Sequence, residues 1–79
     1  MPNVRVTIHA EEQMEDRGIS LVEVMQVLEN HDVEYPSKTG QTGREVVQLG
    51  EVNGRRIKIV VEKTGPEEYT LITTAIWEG

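Results

Sequence analysis

Apolar residues recur along this chain with two different periods, and the change between them falls near its middle. Leu21, Val24, Met25 and Leu28 repeat at i, i+3, i+4 and i+7, with Glu23, Gln26 and Asn30 on the other side. That is the stripe of a helix with one buried face. Ser20-Leu21-Val22-Glu23 opens it as a capping box, and it ends near Asn30-His31-Asp32. Upstream, Ala10 and Met14 form a narrower stripe on a first helix that has Thr7 as its N-cap and runs to about Arg17. Gly18 supplies the left-handed residue that ends such a helix, and Ile19 can fold back on the last turn. The short connection at Gly18-Ile19 predicts an αα-hairpin. Val4-Arg5-Val6-Thr7-Ile8 alternates weakly, as a short strand or as a lead-in packed on the core.

From Arg44 onward the period falls to two. Arg44–Val52 and Arg55–Glu62 flank Asn53-Gly54, the strongest short-range hairpin signal. Thr64-Gly65-Pro66-Glu67-Glu68 reads as the next turn and Tyr69–Trp77 as a final strand. Residues 36–43 form a polar, turn-rich loop whose composition predicts mobility. The hairpin carries a register conflict. With a plain two-residue turn, Ile57 lies opposite Gly50 and Ile59 opposite Gln48, so Val47 and Leu49 point away from the helices. A bulge at Gly50 would flip them inward, and it is the expectation. Without it, the sheet has apolar residues on both faces, which implies a partner or a dimer over the second. The expected fold is α+β: an N-terminal helical hairpin packed on an antiparallel sheet of three to four strands, in one domain over residues 1–79.

The absence of cysteine excludes disulfides, thiolate zinc sites and cysteine nucleophiles. No apolar run approaches the roughly 18 residues of a membrane span, and the start of the chain lacks a signal-peptide pattern. A soluble, cytoplasmic protein without membrane contact is expected. The net charge of −6 is unevenly placed. Residues 1–34 hold eight acids against Arg5 and Arg17, while residues 35–79 balance six against six. Such a molecule repels polyanions overall, which excludes tight nonspecific nucleic-acid binding and leaves room for a local cationic site.

Candidate chemistry begins with His9 and Arg17, about two helical turns apart and so roughly in line. An imidazole beside a permanent cation suits phosphodiester chemistry. Each also has an ordinary reading: His9 as a helix-start residue bonded to a neighbour, Arg17 as a last-turn cation complementing the dipole. Arg55, Arg56 and Lys58 form the densest basic cluster. Arg56 faces Glu51 in the simple register and Lys58 points outward, so a solvated face also explains them. Thr70, Thr73 and Thr74 are good strand formers whose hydroxyls could assist a phosphate. His31 with Asp32 and Glu34 lacks a known ligand spacing, so no metal is expected. Phosphate loops, nucleophile elbows and dinucleotide fingerprints are missing, so no cofactor is expected.

His9-Ala10, Met14 and Arg17-Gly18-Ile19 resemble a family of small prokaryotic domains of unknown function that open H-A-x-x-R-M-x-x-R-G-I. That family is grouped with the barnase, EndoU, colicin and RelE-type ribonucleases, many of them toxins. The similarity runs from His9 to about Trp77. Gln13 stands where the motif has its first arginine, keeping a donor but losing a charge. Thr73 or Thr74 matches a threonine of the family's last strand.

The resemblance implies a RelE-like, metal-independent endoribonuclease. His9 would be general acid or base, Arg17 would stabilise phosphorane charge, and Thr73 or Thr74 would orient the phosphate. Lys58, Gln13 and Arg56 would bind RNA. The rival reading is a noncatalytic interaction module of the same fold, meeting an antitoxin or a second copy of itself. Acidity, the missing arginine and the scarcity of aromatics for base stacking (Tyr35, Tyr69 and Trp77) favour it. A third reading makes the acidic helical half a nucleic-acid mimic.

Overall fold

A computed structural model describes residues 3–38 and 43–77. The elements are β1 (Asn3–Val6), α1 (Ile8–Arg17), α2 (Leu21–Asn30), β2 (Val33–Pro36), β3 (Glu45–Val52), β4 (Arg55–Gly65) and β5 (Glu68–Ile76). They build one five-stranded sheet in the order β1-β5-β4-β3-β2. β1 runs parallel to β5 and every other pairing is antiparallel, so the sheet is mixed.

This corrects the expected fold. Two short strands, β1 and β2, extend the three long ones to five. The helices also do not form a hairpin docked as a unit at the chain's start. β1 and β2 occupy opposite edges, so the chain between them must cross the whole sheet. α1 lies against β5 and α2 against β3 and β4, one helix on each half. Buried Ile19 sits at the junction between them.

The local signals behind the helices hold. The Thr7 hydroxyl accepts from the Ala10 N–H at 3.2 Å. Gly18 adopts φ 65° and its N–H turns back to the carbonyls of Glu15 and Met14. Ser20 and Glu23 complete the capping box. Asn53 and Gly54, at φ 53° and 78°, make the tight turn whose twist matches the strands. The centre of the polar loop, residues 39–42, lies outside the described residues.

Ala10, Val24, Val27, Leu28, Val52, Ile57, Ile59, Val61 and Leu71 form the core between helices and sheet. The β3–β4 register runs unbroken from Glu45↔Glu62 to Val52↔Arg55. The expected bulge at Gly50 is absent; the register shifts lie instead between β4 and β5, at Val60/Val61 and Lys63/Gly65. Gly50 serves packing. A Cβ there would stand 3.4 Å from the His31 backbone and 3.5 Å from Val27, so a side chain larger than methyl would push α2 off the sheet. With the register unbroken, Val47 and Leu49 point to the face that carries no helix. They are buried yet stand apart from the core cluster, between cross-strand partners Tyr35, Val33, Val60 and Lys58.

Candidate functional site

α1 starts at the capped Thr7 and ends at Gly18, so His9, Gln13 and Arg17 fall at i, i+4 and i+8 on one side of it. With Glu12 and Asp16 they line one open groove of about 350 Å³. His9 and Arg17 are exposed. Gln13 is the residue that ties this groove to the sheet. Its side-chain oxygen accepts from the Thr74 N–H at 2.8 Å.

The reason for that bond is an open edge. β1 pairs with β5 only as far as Val6↔Leu71, so the Thr74 N–H lies beyond the end of the ladder. A buried N–H without an acceptor is costly, and Gln13 supplies one. Arginine, which only donates, could not do this through its side chain. The departure from the motif therefore has a structural consequence.

The remaining expected site residues lie elsewhere. Thr73 pairs with Val60 and Lys58 with Ala75 on the face away from the helices. Arg56 stands on that same face opposite Glu51, and its guanidinium is 3.2 Å from Asp32. Lys58 lies over the Trp77 ring at 5.4 Å. Hence the sheet itself separates Arg56, Lys58 and Thr73 from His9, Gln13 and Arg17. Strict alternation along β4 and β5 puts them there. Of the two threonines the motif left open, Thr74 is the one beside α1. Its backbone meets Gln13, and its buried hydroxyl has no hydrogen-bond partner. Thr70 lines a separate depression of about 520 Å³ with Asn3, Arg5, Thr64 and Glu68.

The strand cation nearest the end of α1 is Arg55. It donates to the Arg17 carbonyl at 3.3 Å and the Gly18 carbonyl at 2.9 Å, and pairs with Glu23 at 2.8 Å. Glu23 also accepts from the Ser20 N–H and from Asn53. Arg55 above all, then the Ser20 N–H, hold its carboxyl down from the ordinary 4.5 to about 2, against the opposing effect of burial. This network locks three elements together and commits Arg55 to the protein's own carbonyls and carboxylate.

His31 closes α2. Its Nδ1 lies 3.0 Å from the Val27 carbonyl and its Nε2 3.4 Å from Glu34. Among the described residues, no group of three or more metal-ligating side chains comes together. Nor is any described helix long and apolar enough to cross a membrane.

The components that sequence reasoning left outside the site are Glu12 and Asp16. Their spacing, one position before Gln13 and Arg17, places them beside the His9–Arg17 line. No curated protein and no solved structure matches the chain. Residues 6–77 match the family described as a domain of unknown function, DUF4258, and the chain belongs to that family.

Proposed function

We propose that the α1 groove is the phosphodiester site of a metal-independent endoribonuclease. The observation that carries this reading is the sharing of one open groove by His9, Gln13 and Arg17. Cleavage by a ribose 2′-hydroxyl needs a group to take its proton and another to give one to the departing 5′-oxygen. Glu12, one turn from His9 on the same helix, suits the first task and protonated His9 the second. Arg17, exposed at the end of the helix, reaches the non-bridging oxygens of the phosphate. Gln13 donates through the amide nitrogen that the Thr74 bond leaves free. Arg56, Lys58 and Thr73 take no part in this reading, because the sheet lies between them and the groove.

The test is cleavage of mixed RNA with chelator present, comparing the parent with His9→Ala and Arg17→Ala at matched melting temperature. Loss of a general acid should slow cleavage by about a hundredfold or more, leaving cyclic-phosphate ends as the parent's signature. Equal rates for parent and His9→Ala would end the proposal.

A further inference from the structure

We infer that the depression beside β1 and β5 binds a free α-amino acid, its carboxylate on Arg5 and its ammonium on Glu68. The depression has a volume of about 520 Å³, and its polar lining is Asn3, Arg5, Thr64, Glu68 and Thr70. Small-molecule sites begin at roughly 300 Å³, so an amino acid fits with water beside it.

Strand alternation brings four of these residues together. Val4, Val6 and Tyr69 pack against the core, so Asn3, Arg5, Glu68 and Thr70 point to the helix-free face. The parallel ladder sets Asn3 beside Glu68 and Arg5 beside Thr70. Thr64 arrives by an irregularity. The β4–β5 register shifts between Lys63 and Gly65, which leaves Thr64 as an extra residue. A bulge of this kind re-aims a side chain, and here Thr64 joins the lining. The Asn3 N–H donates to the Glu67 carbonyl at 2.7 Å, tying the start of β1 to the same turn.

The charges select the ligand. Arg5 and Glu68 are diagonal neighbours on adjacent strands, a spacing at which long side chains can meet. Among the described residues, however, neither takes part in an ion pair. Glu68 folds back over Gly65 on β4 instead, where a Cβ would stand 3.0 Å from its Oε2. A cation and a carboxylate therefore line one depression without neutralising each other. The ligand that answers both carries the two charges on neighbouring groups and is neutral overall, as an α-amino acid is. The guanidinium fork matches its carboxylate, and Glu68 accepts from its ammonium. A bare anion would meet Glu68, Glu62 opposite Thr70 and the net charge of −6. A bare amine would leave Arg5 unanswered. Both charged groups are exposed, so the dissociation constant should be on the order of a millimolar. These side chains lie on the opposite face of the sheet from α1, so the inference stands apart from the nuclease reading.

The experiment is an amide-resolved NMR titration of the full chain with L-glutamine, chosen because its side chain is uncharged. The backbone amides of Arg5, Thr64, Glu68 and Thr70 should shift along one saturating curve. N-acetyl-L-glutamine, which lacks the ammonium, and L-glutaminamide, which lacks the carboxylate, should each bind roughly tenfold more weakly. Arg5→Gln and Glu68→Gln, checked for parental melting, should weaken L-glutamine by a similar factor. Arg5→Gln should leave L-glutaminamide binding unchanged, because the contact it removes is already missing. No shift at these amides by about 20 mM L-glutamine overturns the inference. So does equal binding of either capped form to the parent, whether or not a variant folds. Inorganic phosphate that gives the same shifts as tightly would make the depression an anion site and would also overturn it.

Discussion

At the scale of single residues, Glu23 combines local and long-range roles that the sequence shows only in part. Its spacing from Ser20 makes the capping box visible at once. Its pairing with Arg55 across the fold is not, because a hydrogen bond between residues so far apart in sequence leaves no periodic trace. The consequence is a pH dependence with a definite sign. A carboxylate held at about 2 in the folded chain, and near 4.5 when unfolded, contributes stability at every pH above 4.5. That contribution declines as pH falls from 4.5 toward 2. Glu23→Gln should cost about 2 kcal/mol near neutrality, the scale of a charged hydrogen-bond pair. It should also flatten the acid limb of stability across that window. Urea unfolding at a series of pH values checks both, and an acid limb as steep as the parent's would show that Glu23 is not its source. Gln13 illustrates the same limit of sequence reading. Its place in the motif shows a lost charge, whereas its bond to the Thr74 N–H depends on where β1 stops.

The elements that the sequence defines well are those with local signals. Both helices, with their caps and the Gly18 stop, follow from residues within a few positions of each boundary. The Asn53-Gly54 turn likewise sets the β3–β4 register by itself. β1 shows in the sequence only as the weak alternation of Val4–Ile8, and β2 does not show at all, because four-residue strands at sheet edges are too short to carry a clear pattern. Their places, parallel on β5 and antiparallel on β3, are set by tertiary pairing alone. The expected bulge at Gly50 is absent, and the alternative register holds, because the sheet has apolar residues on both faces. Gly50 instead lets the end of α2 approach β3. Its φ is not in the left-handed region, and a Cβ there would make contacts of 3.4 to 3.6 Å with His31 and Val27. Gly50→Ala should therefore be nearly neutral, and Gly50→Val should lose about 1–3 kcal/mol by overpacking. Thermal unfolding of both distinguishes the accounts. Equal, large losses would mean that the position needs glycine's backbone freedom and not merely its small volume.

Charge acts on the whole molecule, and it gives the groove an unusual setting. α1 carries Glu11, Glu12, Glu15 and Asp16 against Arg17, so the helix that lines the groove is itself negative. The net charge of −6 adds a long-range repulsion for any polyanion. Most nucleic-acid enzymes lose affinity as salt rises, because each phosphate contact releases counterions. In the proposed site the contact would be essentially one cation, Arg17, while the opposing field comes from the whole helical layer. Shortening the Debye length from about 30 Å to about 8 Å weakens the distant repulsion far more than the contact. On the proposed ribonuclease reading, RNA cleavage should therefore speed up between low and physiological salt, with kcat/KM rising roughly two- to threefold before it levels. Steady-state kinetics on a short single-stranded RNA at several salt concentrations would measure this. A rate that falls steeply and continuously with salt would require several phosphate contacts. The α1 groove cannot supply them, and the substrate would then belong on the opposite face with Arg56 and Lys58.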